Sequence, residues 1–286
     1  MRYIPFEVLR TWPVPDYENP VTRGNALVIV NSIFITLVII VVGLRLHIRL
    51  FVKRQLGVDD AFIGLALISA ICLTTIVLLA NQSYGWDRHV YDIPFSKLAP
   101  ASKIALSAKI VFSAAATFTR LSLLSFYYRL VQDSGKELFV WAVHANVAYT
   151  IAIFITFLFL SIFLCTPVEN YWTFGAPADS CLDEGTATLA AGVINCIADF
   201  LCTILPIPLV SGLHMPRRQR IAVIVLFSLG FVVTIAGIIR TWFIYKSLVA
   251  EYDQTWYAYP LWIAAAVEID LGVVSILRLP PFAFSA

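Results

Sequence analysis

Residues 26–46 read ALVIVNSIFITLVIIVVGLRL, a run with no charged side chain before Arg45. About 20 consecutive apolar residues in a helix match the hydrocarbon thickness of a bilayer, so this run predicts a membrane span. Similar runs follow at Ala61–Asn81, Ser102–Tyr128, Leu138–Cys165, Thr186–Val210, Ile221–Tyr245 and Tyr257–Leu277. The third is the weakest, because Lys109 and Arg120 interrupt it; without it the chain would have six spans. With it, the chain reads as an all-α membrane protein, a bundle of seven transmembrane helices. The 286 residues are 60% hydrophobic and 13% charged, well above the apolar share of a soluble domain.

The net charge of +2, with no basic run interleaved with aromatics, argues against a nucleic-acid partner. The partner implied by composition is the lipid bilayer. Residues 1–25 hold Pro5, Pro13, Pro15 and Pro20 among scattered charges, and read as an irregular tail rather than a signal peptide. The organisation expected is therefore an extracytoplasmic tail (1–25), a seven-helix domain (26–279) and a short cytoplasmic C-terminus (280–286).

Direction follows from the bias of Lys and Arg toward cytoplasmic loops. One set of connections carries Arg45, Arg49, Lys53, Arg54, Arg129, Lys136, Arg217, Arg218 and Arg220; the other carries Arg88, Lys97, Lys103 and Lys246. The richer set is expected inside, with the N-terminus outside and the C-terminus in the cytoplasm. Which membrane holds the chain is left open.

The spans carry charge that hydrocarbon disfavours. Asp199, Glu268 and Asp270 are balanced by Lys109, Arg120 and Arg240. Lys109 and Arg120 are separated by about 1100° of helical rotation and about 16 Å of rise, so they share one face. Asn195 and Asp199, four residues apart, share a face too. Asp199 is expected to pair with Arg120, and Lys109 or Arg240 to neutralise Glu268 or Asp270. The three acids are candidate proton donors to a bound substrate, or else structural counter-ions. Asn195 and His89 are candidate polar cavity residues, with packing roles as the alternative. Glu268 and Asp270 lie about 200° apart around their helix, so they cannot face one partner.

Cys165 and Cys181 bracket a loop on the expected outer side, where the compartment is oxidising. A disulfide there would pin the loop across two helix ends; two free thiols are the alternative. Asn81-Gln82-Ser83 fits a glycosylation acceptor, close to the membrane. No metal-ligand pattern, phosphate loop or nucleophile elbow is present, and no metal or cofactor is required. The seventh span has no lysine for a retinal Schiff base.

Several motifs occur in a telling order: Gly57-Val58-Asp59-Asp60, Tyr84-Gly85-Trp86-Asp87-Arg88-His89, Thr119-Arg120-Leu121-Ser122, Cys165-Thr166-Pro167 with Trp172 and Cys181, Asn195 with Asp199 before Leu205-Pro206-Ile207-Pro208, Phe227-Ser228-Leu229-Gly230 before Arg240, and Trp262 before Glu268. From about residue 25 to 281 the set resembles the fungal rhodopsin-like integral membrane family, which includes satratoxin-cluster membrane proteins and receptor-like proteins. Arg120 departs from the Lys more common there, Trp86-Asp87 alters a glycine pattern, and the C-terminus is shorter than in many relatives. The resemblance implies a fungal source and a seven-helix fold. The function expected is that of a multi-pass membrane protein in a specialised-metabolite pathway, which binds a lipophilic small molecule and rearranges or cyclises it. The alternative is a receptor-like sensor of an extracellular ligand, although connections of about 8 to 14 residues give a G protein little surface. Transport is disfavoured, since no inverted repeat is evident. Whether the chain is an enzyme stays open at this point.

Overall fold

The computed structural model describes residues 5–54, 57–131, 137–173, 177–207 and 217–275. A short helix α1 (Phe6–Thr11) precedes seven long ones: α2 (Ala26–His47), α3 (Val58–Tyr84), α4 (Phe95–Val131), α5 (Glu137–Ile162), α6 (Glu184–Ile204), α7 (Arg217–Tyr245) and α8 (Gln254–Ser275). Each of the seven is long and apolar enough to cross a membrane. No strand occurs among the described residues, only isolated bridges at Thr22–Arg88 and Cys165–Cys181. The third expected span, the weakest by composition, is the longest helix. Its polar positions are absorbed by neighbouring helices rather than by lipid. The segment 280–286 and the end of the seventh expected span lie outside the described residues, as do Val210 and Lys136.

Helix ends follow local chemistry. Asp183 caps α6 by accepting from the backbone N–H groups of Gly185 and Thr186, an interaction worth about 1 kcal/mol. Asp60, in the first turn of α3, accepts from Gly57 N at 3.0 Å. Gly85 ends α3 at φ 77°, a left-handed turn that a side chain would strain. Tyr259 of α8 holds the start of α2: its hydroxyl accepts from Leu27 N at 2.8 Å and donates to Gly24 O at 2.9 Å. The N-terminal stretch expected as an irregular tail contains α1 and is tied down beyond it. Asp16 N donates to the Asp92 carboxylate, and Arg23 N to Asp87 O.

The seven helices close a ring in which α2 returns to pack on α8, while α4 and α8 also touch across the middle. Alanines Ala70, Ala105, Ala108, Ala115 and Ala265 are buried at these contacts, and small residues let helices approach closely. At Gly192 of α6 an added Cβ would sit 2.9 Å from Thr241 Oγ1 of α7, so the close approach of those helices requires glycine. Outward faces stay apolar: Ile29, Ile33, Ile40 and Leu44 on α2 are exposed, as are Ile155 and Phe159 on α5. The interior holds Arg45, Arg120, Arg240, Glu268 and Asp270, all buried. Apolar surface around a charged interior is the inverse of a soluble bundle.

Candidate functional site

Chain alternation puts the starts of α2, α4, α6 and α8 at one end of the bundle, with the ends of α3, α5 and α7. That end carries the disulfide between Cys165 and Cys181. Thr166 N donates to Ser180 O and Leu182 N to Leu164 O, both at 2.8 Å, so the crosslink closes a short antiparallel clasp over α5 and α6. The free cysteines Cys72, Cys196 and Cys202 lie in helices.

Three ion pairs run inward from this end. Lys109 of α4 meets Glu184 at the start of α6. One more acceptor, Thr188 Oγ1, lies 3.5 Å from the ammonium, and the Tyr171 hydroxyl donates to Glu184 at 2.8 Å. Burial, reinforced by the neighbouring Glu184 carboxylate, raises the Tyr171 phenol well above its ordinary pKa of 10.0. Deeper, Arg120 gives Nε to Asp199 Oδ1 at 2.8 Å, Nη1 to Asn195 Oδ1 at 2.9 Å and Nη2 to Asn195 O at 3.2 Å. Arg240 of α7 forks onto Glu268 of α8, with Nε–Oε2 2.7 Å and Nη2–Oε1 3.2 Å. Its guanidinium carbon stands 4.4 Å from the Phe112 ring centroid, a favourable position for a cation over an aromatic face.

The shared face expected for Lys109 and Arg120 is present, and it looks toward α6. Glu268 receives Arg240. Lys109 neutralises neither Glu268 nor Asp270, because its face of α4 is turned to α6 rather than α8. Asp270 is 2% exposed, and its Oδ2 has no hydrogen-bond partner among the described residues. Glu184 was missed in the sequence because it sits at the helix start, outside the apolar run.

Arg45 and Arg49 count in sequence only as basic residues of a connection. They are buried against the paired acids at the start of α3. Arg45 Nη2 lies 2.8 Å from Asp59 and 3.2 Å from Asp60, and Arg49 reaches Asp59 at 3.3 Å and Asp60 at 3.2 Å. Ser122 of α4 donates to Asp59 O at 3.0 Å. The signal available in sequence was the Asp59-Asp60 pair, placed where a helix N-terminus favours negative charge.

A cavity of about 150 Å³ lies between α3, α4, α5, α6, α7 and α8. Its wall is largely apolar, including Phe112, Phe157, Leu164, Ile244 and the stacked pair Trp86 and Trp262. Lys109, Asn195 and Arg240 supply polar positions. Asp199, Glu268 and Asp270, expected as proton donors, are not among the lining residues. Asp199 and Glu268 lie behind it, engaged with their arginines.

His89 does not line this cavity. It pairs with Asp253, which also accepts from Val90 N at 3.0 Å, and its ring stacks on Trp256 with centroids 3.9 Å apart. Asn81 is 4% exposed within α3. No cluster able to hold a metal occurs among the described residues.

The fungal rhodopsin domain matches residues 44–280, and the chain belongs to that family. It is 34% identical over 121 residues to wortmanamides biosynthesis cluster protein C of Talaromyces wortmannii, covering 42% of this chain and 33% of that one. It is 29% identical over 160 residues to satratoxin biosynthesis SC1 cluster protein 4 of Stachybotrys chartarum, covering 55% and 56%. Against receptor GIN3 of Arthrobotrys oligospora, identity is 28% over 123 residues, covering 43% and 29%. The chain thus spans about a third to about half the length of these relatives. No solved structure matches it. Family and apolar helices together define a multi-pass integral membrane protein.

Proposed function

We propose that this chain is a membrane component of a fungal specialised-metabolite pathway, and that it holds a lipophilic intermediate between its helices. The observation that carries this reading is the cavity between α4 and α8: apolar walls inside the bundle suit an apolar guest, and polar positions at one side can orient it. Relatives named for biosynthesis clusters support the pathway setting. On this reading the functional unit is the seven-helix region 26–279. The disulfide-bearing end faces outward and the loops rich in Lys and Arg face the cytoplasm, as the charge bias favours.

Rearrangement or cyclisation of the guest is the finer proposal. Asp199 and Glu268 serve on this reading as counter-ions that hold arginines in place, and they do not touch the guest. Binding therefore comes before chemistry in the order of tests. The first test is metabolite profiling of a gene deletion in the native host, complemented by the wild-type chain and by Ala191→Phe, which narrows the cavity. Loss of one product with a precursor accumulating, restored by wild type and not by Ala191→Phe, is the expected result. An unchanged profile overturns it.

A receptor-like sensor is the second reading. It is favoured by the relative named as a receptor and by Asn195, which lines the cavity while accepting from Arg120. A guest that displaced Asn195 would disturb the deeper Arg120–Asp199 pair. Ligand-dependent signalling in a host with an unchanged metabolite profile would favour this reading over the first.

A further inference from the structure

The polar groups on the cavity wall at Lys109, Asn195 and Arg240 differ in how they are engaged. The Lys109 ammonium is committed to Glu184, with Thr188 beside it. Asn195 is engaged on both sides: Oδ1 accepts from Arg120, and Nδ2 donates to Ala191 O at 2.9 Å. Arg240 is different. Its Nε and Nη2 both go to Glu268, while Nη1 donates to no described residue. The Arg240 side chain is 6% exposed and lines the cavity. It is thus a buried cation on the cavity wall whose Nη1 amino group is bonded to no described residue.

We propose that this cavity selects a neutral carbonyl-bearing apolar molecule, its oxygen accepting from Arg240 Nη1 and its hydrocarbon chain lying along α4 and α8 toward the disulfide-bearing end. The proposal rests on the cavity being the binding site described above, and adds the chemical class of its guest.

Charge accounting selects the carbonyl. Arg240 is neutralised by Glu268, Lys109 by Glu184 and Arg120 by Asp199, so the wall presents donors without a net positive charge. A carboxylate guest would bring an unpaired negative charge into an apolar enclosure whose two wall cations are already neutralised by Glu184 and Glu268 behind them, which is costly. A pure hydrocarbon would leave the Nη1 donor unsatisfied. A ketone, ester or amide oxygen answers the donor with a charge-assisted hydrogen bond and adds no charge.

Shape fits the same class. Lining residues on α4 run from Ala105 to Ser113, and on α8 from Gln254 to Ala265. At 1.5 Å per residue these stretches span roughly 12 to 16 Å, long enough for a medium-length chain. Arg240 lies on the side of Asn195 and Ala265, the end away from the disulfide, so the oxygen enters first.

The test uses the full chain in lipid nanodiscs, with Trp86 and Trp262 on the wall as the fluorescence reporters. Three probes of equal chain length are titrated: 2-nonanone, nonane and nonanoate. The expected result is that 2-nonanone binds at least tenfold more tightly than nonane and than nonanoate. The double variant Arg240→Gln/Glu268→Gln, which removes both charges together, should bring 2-nonanone to the level of nonane. Should that variant fail to fold, Arg240→Lys, which keeps the charge and loses the guanidinium fork, should narrow the gap at least threefold.

Equal binding of 2-nonanone and nonane by the wild-type chain, with both blocked by Ala191→Phe, overturns the carbonyl selection while leaving a lipophilic cavity in place. Tighter binding of nonanoate overturns it by showing an anion site. Fluorescence changes that are the same in wild type and Ala191→Phe overturn the cavity itself as the binding site, and the carbonyl with it.

Discussion

Arg120 Nε lies 2.8 Å from Asp199 Oδ1, and the same guanidinium reaches Asn195 one helical turn away. Lys109, 11 residues before Arg120, meets Glu184, 11 residues before Asn195. The equal offset means that α4 and α6 run in the same direction and stay in step over three turns, joined by long side chains across the bundle.

This relationship sets the first prediction. Asp199 Oδ2 is already buried with no hydrogen-bond partner among the described residues, so removing Arg120 would leave the carboxylate without its cation. Arg120→Met should destabilise by about 3–5 kcal/mol, whereas Arg120→Met/Asp199→Leu should recover most of the loss. Thermal unfolding of the four members of that double-mutant cycle measures the coupling. Additive losses would show that the pair is not coupled.

The two acids of α8 should respond in opposite ways. Glu268→Gln takes the counter-charge from Arg240 and should cost about 3 kcal/mol or more. Asp270→Asn changes a carboxyl that pairs with no cation among the described residues, keeps the shape, and should change stability by less than about 1 kcal/mol. Comparing the melting temperatures of the two variants in one detergent decides the matter; a larger loss at Asp270 would mean that it has a partner role.

The disulfide closes a loop with a sequence separation of 16. Constraining such a loop in the unfolded chain is worth about 3 kcal/mol. The double variant Cys165→Ser/Cys181→Ser should lose roughly that amount, and a reductant should lower the wild-type melting temperature but not the variant's. Equal sensitivity to reductant in both would remove the crosslink from the account.

Tyr171 gives a pH dependence with a definite sign. Its phenol is held protonated in the folded chain above the ordinary pKa of 10.0, through burial and the adjacent Glu184 carboxylate. Above about pH 10 the unfolded chain releases this proton and the folded chain keeps it. Stability is therefore fully present below pH 10 and falls as pH rises, by up to about 1.4 kcal/mol per pH unit. Tyr171→Phe should lose about 1 kcal/mol at neutral pH with the hydrogen bond to Glu184, and should show a shallower alkaline decline. Parallel declines in variant and wild type would assign the effect elsewhere.

Much of the architecture was legible without coordinates. Apolar length alone locates the seven helices, because spanning a bilayer is a condition on each segment by itself. The third span, Ser102–Tyr128, was hardest to see because Lys109 and Arg120 lower its hydropathy. The structure extends it to Phe95–Val131, since its charges are paid for by α6. The Cys165–Cys181 pairing was legible as well, because both cysteines sit beside adjacent helix ends.

Local composition and a 3.6-residue period are enough to point to seven spans, to the family, to a crosslink and to the faces of single helices. Helix packing is what gives Lys109 to Glu184 and Arg240 rather than Lys109 to Glu268, leaves Asp270 without a cation among the described residues, and sets Arg45 and Arg49 on Asp59 and Asp60. It also decided that a cavity opens with Arg240 on its wall and the acids behind it. Helical period fixes which residues share a face but not which neighbour that face meets. That choice belongs to the packing of seven helices at once, where close approaches such as Gly192 against Thr241 set the rotation and depth of each.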